Sequence, residues 1–107
     1  MSEPTLSILI VNWNTECLLR NCLNSIYEDP DSAQWEVIVV DNHSDDGSLA
    51  MLEREFSQAV VVANGENSGF VQGNYLALEK ARGSHLLLLN TDTEVERGAL
   101  GPLLDFM

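Results

Sequence analysis

Four short aliphatic runs punctuate this chain, and each one stops at small polar residues. Leu6 to Val11 (LSILIV) ends at Asn12-Trp13-Asn14, and Trp35 to Val40 (WEVIVV) ends at Asp41-Asn42. Ala59 to Ala63 (AVVVA) leads into Asn64 to Gly69, and His85 to Leu89 (HLLLL) into Asn90-Thr91-Asp92. The first two runs are too continuous for a half-exposed strand and too short for a helix of their own, which suits strands covered on both faces. Between the runs the apolar residues take helical spacing. Thr15 to Tyr27 carries Leu18, Leu19, Cys22, Leu23 and Ile26, with Asn14 or Thr15 as the cap. Ser48 to Ser57 carries Leu49, Leu52 and Phe56 on one face. Phe70 to Arg82 carries Phe70, Ala77 and Ala81, with Gly83 closing it. A last helix over Gly98 to Met107 tolerates Pro102 only near its first turn.

Strand and helix therefore alternate four times, which predicts an α/β fold: an open, mostly parallel sheet of four strands with helices on both faces. At 107 residues we expect one domain. In such sheets ligands sit outside the carboxyl ends of the strands. Any one of the four polar ends is explained by turn and cap chemistry. All four together point to a site.

Charge narrows its chemistry. Seventeen acids against five bases give a net charge of -12. That disfavours nucleic acid, whose phosphates need a basic surface. It also means that a diphosphate ligand needs a divalent cation between itself and the acids. A carboxylate at Asp41 accepts hydrogen bonds and can read a ring N–H, whereas one at Asp92 suits a hard cation such as Mg2+ or Mn2+. Gly69 and Gly73 let a backbone come close to a ligand, or serve loop geometry and helix–sheet packing respectively.

Other readings fail on their residues. No GxGxxG follows the first strand and no GxxxxGK[ST] occurs. Asp41 to Gly47 looks like a calcium loop, but its twelfth position is Leu52 and a strand precedes it. Cys17 and Cys22 are read as two buried thiols with no bridge between them, and His43 and His85 as isolated residues. No apolar run approaches the roughly 20 residues that span a membrane, and no secretory signal is evident at the start.

The segments SILIVNWN (Ser7 to Asn14), EVIVVDNHSDDGS (Glu36 to Ser48), ENSGFVQGNYLAL (Glu66 to Leu78) and HLLLLNTDTEV (His85 to Val95) resemble family 2 glycosyltransferases of the GT-A fold, with the rhamnosyltransferase-like branch nearest. The resemblance implies strand order 3-2-1-4 and a domain that holds a nucleotide-diphospho-sugar, such as a UDP- or dTDP-sugar. It implies that Asn12, Trp13 and Asn14 lie against the base and that Asp41 binds a pyrimidine ring. Asn42, Ser44 and Asp46 form its supporting turn. Asn67, Gly69 and Phe70 lie beside the nucleotide, with Asn74 on the following helix. Asn90-Thr91-Asp92 stands at the DxD position, so Asn90 lies near the ribose, Thr91 is among the nucleotide-binding residues, and Asp92 holds Mg2+ or Mn2+. Asn90 replaces an aspartate there and brings no charge, which leaves Asp92 as the motif's only carboxylate.

In the family the acceptor half, with its general base, follows this portion. We therefore expect the chain to stop before it, to carry no catalytic residue, and to be inactive in isolation. The whole enzyme is expected to transfer its sugar with inversion to a glycan or lipid-linked acceptor in polysaccharide or cell-envelope synthesis. Its expected setting is cytoplasmic, at the inner face of the membrane. Two further classes stay open: a non-catalytic nucleotide-binding module that self-associates through the truncated edge, and a receiver-like signalling domain. The latter lacks an acidic pair after strand one and an aspartate after strand three, and its one lysine, Lys80, lies within a helix.

Overall fold

A computed structural model describes residues 4–106, without the side chains of residues 105 and 106. The elements run β1 (Leu6–Asn12), α1 (Glu16–Tyr27), β2 (Trp35–Asp41), α2 (Ser48–Glu55), β3 (Val60–Ala63), α3 (Gly69–Leu78), β4 (His85–Leu89) and α4 (Leu100–Phe106), with a short 3-10 turn at Ser32–Gln34. All strand pairs are parallel, as the alternation of elements predicted, and the order is β3-β2-β1-β4, as the family resemblance implied.

Right-handed crossovers explain which helix lies where. The chain steps β1 to β2 to β3 in one direction, so α1 and α2 fall on one face. It then crosses back over β2 and β1 to reach β4, so α3 falls on the other. The core divides accordingly. Leu6, Ile8, Ile10, Val37 and Val39 pack with Leu19, Leu23, Ile26, Met51 and Leu52 on the α1/α2 side. Leu9, Ile38, Val40 and Ala77 pack on the α3 side. Period-two alternation along β1 and β2 sends successive side chains to the two faces, so both central strands are buried on each side.

The edge strands differ. β3 is largely exposed, and in β4 Leu86 and Leu88 are 47% and 52% exposed. Helix α3 lies over β1 and β2 rather than over β4, which leaves that part of the sheet uncovered.

Several local expectations shift. Helix α3 ends at Leu78, well before Gly83. Its last turn tightens through Lys80 N–H to Ala77 O (3.0 Å) and Ala81 N–H to Leu78 O (3.1 Å). The next amides are then taken by side chains of other elements: Arg82 N–H donates to Glu36 Oε2 at 2.5 Å and Gly83 N–H to Ser7 Oγ at 2.7 Å. Those bonds turn the chain into β4 and compete with further helix. Cys17 is exposed and only Cys22 is buried, because Cys17 lies one residue before the solvent-facing Leu18 at the start of α1. Leu49 and Phe70 also leave the predicted apolar stripes for solvent, and Met51 fills the α2 core position instead.

Candidate functional site at the carboxyl ends of the strands

The reversal in strand order occurs at β1, with β2 on one side and β4 on the other. Register places Asn12 beside Asp41, and Asp41 beside Ala63, so the polar ends of the three strands β1, β2 and β3 are level. This is where an open α/β sheet presents a crevice.

The centre of the site is a buried polar cluster. Asp41 has no exposed surface, and neither does Asn12. Asp41 Oδ1 accepts from Asn12 Nδ2 at 2.8 Å and from Ser44 Oγ at 2.7 Å, and Oδ2 accepts from the Ser44 N–H at 3.0 Å. Three hydrogen bonds compensate for removing this carboxylate from water. Oδ2 keeps one lone pair.

Around it the loops lock one another. Asn14 adopts φ 52°, a left-handed conformation that asparagine accepts more readily than most residues. Its Oδ1 thereby accepts from Asp45 N–H (2.7 Å) and Asp46 N–H (3.3 Å) in the turn after β2. Asp46 returns the contact. Its Oδ2 accepts from Glu16 N–H at 3.1 Å, and its Oδ1 from Ser48 N–H and Oγ at 3.0 and 2.6 Å. So Asp46 serves the first turns of both α1 and α2. Thr15 occupies the N-cap position of α1 but makes no capping bond; its hydroxyl turns toward Asn12 and Thr91.

Asn42 holds the next loop. Its Nδ2 donates to Gly69 O at 3.0 Å, and its Oδ1 accepts from Asn64 Nδ2 at 2.9 Å. Gly69 has φ +86°, and nothing lies within 4 Å of where a Cβ would be, so the backbone conformation alone calls for glycine. Gly73 is different: a Cβ there would stand 2.7 Å from Val11 Cγ1, so it serves close helix–sheet packing.

The residues singled out from sequence therefore divide by exposure. Asn12, Asn14, Asp41 and Asn42 spend most of their hydrogen-bonding capacity on holding loops. Asn67 Oδ1 accepts from Gly69 N–H, and Asn74 Nδ2 donates to Phe70 O within α3. Trp13 and Phe70, each 51% exposed, present ring faces, and Asn90 and Asp92 are exposed while Thr91 is half-buried. Phe70 and Asn74 also line an apolar groove of about 320 Å3 with Leu9, Tyr75, Leu86 and Leu88, on the α3 face rather than over the strand ends. A cavity of about 290 Å3 between Thr5, Trp35, His85 and Leu104 lies at the opposite, amino end of the sheet.

Sequence reasoning read Thr15 only as a cap. No local signal marked its other role, since the contact with Thr91 joins residues 76 apart in sequence. Glu16 was also missed; its Oε1 accepts from Gly47 N–H at 3.1 Å.

The model of glycosyl transferase family 2 matches residues 7–107. The chain belongs to that family. Among its relatives, TuaG of Bacillus subtilis (strain 168), a glycosyltransferase provisionally placed in teichuronic acid biosynthesis, is 30% identical over 98% of this chain and 42% of its own length. YfnE of the same organism, an uncharacterized glycosyltransferase, is 35% identical over 80% of this chain and 22% of its own length. The chain thus spans less than half of these relatives. Residues 1–349 of S. aureus TarS, solved in complex with UDP, superpose with a TM-score of 0.87 at 25% identity, covering 95% of this chain and 31% of that one. The mannosyltransferase PcManGT of Pyrobaculum calidifontis, solved with GDP-Man and Mn2+, shares the fold with a TM-score of 0.78 at 24% identity, over 97% of this chain and 31% of its own. The family, the GT-A fold and the likeness to glycosyltransferases all agree with the motif reading. No helix among the described residues is long and apolar enough to cross a membrane.

Proposed function

We propose that the crevice between the ends of β1 and β4 holds a nucleotide-diphospho-sugar, and that the whole enzyme transfers the sugar by direct displacement with inversion. The observation that carries this is the division between a buried, hydrogen-bonded polar floor and a few exposed groups above it. The Trp13 ring offers a stacking face for a base. Asp41 Oδ2 offers its remaining lone pair to a ring N–H, and a base reaches it only when the residues that cover it shift. Asn90 and Thr91 stand at the ribose.

The donor set fits a divalent cation that the ligand itself helps to hold. Among the described residues no cluster of three or more His, Cys, Asp or Glu could hold a metal alone. Mg2+ and Mn2+ at phosphate sites need only one or two carboxylates, with phosphate and water completing the shell. Asp92 supplies one. The cation would neutralise charge on the departing diphosphate.

UDP, which TarS binds in its solved complex, is the first probe, with dTDP beside it. Trp35 is 8% exposed and Trp13 is 51% exposed, so a nucleotide stacked on Trp13 changes the emission of one tryptophan only. We expect UDP with Mn2+ to quench that emission in the wild type and not in Trp13→Phe. Quenching that persists unchanged in Trp13→Phe would place the ligand elsewhere.

A second reading concerns association. Phe70, Val71, Tyr75, Leu78, Leu86 and Leu88 are all exposed on the α3 side, and β4 is an edge strand. An open edge beside a contiguous apolar face favours a second copy of this chain as the occupant.

A further inference from the structure

We propose that Thr15 is a positioning residue: its hydroxyl ties the loop after β4 to the buried Asp41 carboxylate and leaves the Thr91 oxygen as a pure acceptor. The inference rests on the donor-site reading above, which gives that acceptor a ligand to meet.

Donor and acceptor bookkeeping fixes the direction of every bond in the chain. A carboxylate only accepts, so the 2.8 Å contact to Asp41 Oδ1 must come from the Asn12 amide N–H. That sets the orientation of the amide and leaves Asn12 Oδ1 on its far side. Oδ1 also only accepts, so the single Thr15 hydroxyl proton goes to it, across 2.7 Å. Thr15 then has no proton left for its 3.0 Å contact with Thr91 Oγ1. The Thr91 hydroxyl must be the donor there, and its own proton is spent. All three bonds point toward the carboxylate. Hydrogen bonds aligned this way polarise one another, so the charge at Asp41 makes the Thr91 oxygen a stronger acceptor.

A local turn does not account for this. The Asn12–Thr15 bond alone would be an ordinary three-residue contact, but Thr91 lies 76 residues from Thr15 in sequence. Nor does Thr15 act as a cap: its side chain makes no capping bond to α1. The bond joins the ends of β1 and β4, the two strands that flank the crevice. An acceptor fixed there selects a ligand that brings a hydroxyl, as a ribose does.

The test compares UDP with 2′,3′-dideoxyuridine diphosphate, by calorimetry with Mn2+, on wild type, Thr15→Val and Thr15→Ser. Valine keeps the shape and removes the hydroxyl; serine restores it. We expect Thr15→Val to weaken UDP about fivefold, the worth of one hydrogen bond, and to leave the dideoxy nucleotide unchanged. Thr15→Ser should recover the wild-type preference. Equal losses for both nucleotides in Thr15→Val, or no recovery with serine, would overturn the positioning role. A ligand-independent arm measures urea unfolding midpoints of Thr15→Val, Thr91→Val and the double variant. Shifts that fall short of additive support the bond, and strictly additive shifts overturn it. Absence of UDP binding in the wild type would overturn the donor-site reading and this proposal with it, whereas failed discrimination overturns this proposal alone.

Discussion

At the scale of single residues, the site rests on a carboxylate that contributes to folding as well as to any ligand. Removing the Asp41 side chain takes the only acceptor from the Ser44 N–H and the shorter of two acceptors from the buried Asn12 amide, which keeps a 3.3 Å contact with Ser44 Oγ. We expect Asp41→Ala to lower the unfolding free energy by about 2–3 kcal/mol in urea denaturation. A stability change within a few tenths would mean that the cluster is wetter than its burial shows. Reactivity separates the two cysteines. Burial, with Glu94 and Asp92 adding to it, pushes the Cys22 thiol up to about 11, so at pH 8 it stays protonated and shielded. Iodoacetamide should label the exposed Cys17 and spare Cys22 in the folded chain, as peptide mass mapping would show. Gly73 was ambiguous in sequence between ligand approach and packing. Val11 decides for packing, and overfilling that contact makes Gly73→Ala cost about 1–3 kcal/mol.

At the scale of elements, the sequence displayed every strand and nearly every helix, because aliphatic runs and helical spacing are local properties. It could not display where α3 stops, since that depends on Glu36 and Ser7, which are remote in sequence and adjacent only in the folded sheet. Nor could it show that α1 and α2 share a cap. Asp46 sits in the turn after β2, yet it accepts from the first amide of α1. Burial works to raise its pKa, but the Ser48 hydroxyl and N–H and the Glu16 N–H outweigh that and hold it below the ordinary carboxylate value. A depressed acid stabilises the fold above its unfolded pKa, roughly 4, and loses that contribution as pH falls through the folded value. Asp46→Ala should therefore cost about 1 kcal/mol near neutrality, in line with losing a helix cap. The difference from wild type should shrink in acid. A difference that stays constant from neutrality to acid would show that the carboxylate charge is not what joins the two helices.

At the scale of the whole molecule, the strand order is what the family resemblance implied, and handedness then decides which face each helix takes; that order brings Asn12 at the end of β1 and Thr15 of the first loop to Thr91 of the last. The uncovered face was not legible, because nothing in HLLLL tells which leucines meet a helix. Their exposure follows from α3 lying over β1 and β2. If that face takes a second copy, light scattering should show mass rising with concentration, and Leu88→Glu should hold the chain monomeric. A wild type that stays monomeric throughout would remove the association reading without touching the donor site.

That site turns on one exposed carboxylate and one ligand. Calorimetric titration of UDP into the chain, with and without Mn2+, on wild type and Asp92→Ala, tests it most directly. We expect UDP to bind the wild type more tightly when Mn2+ is present, and the metal's contribution to vanish in Asp92→Ala while metal-free binding is retained. Binding that is indifferent to Mn2+ in wild type and variant alike would contradict a metal-bridged donor site at the ends of β1 and β4.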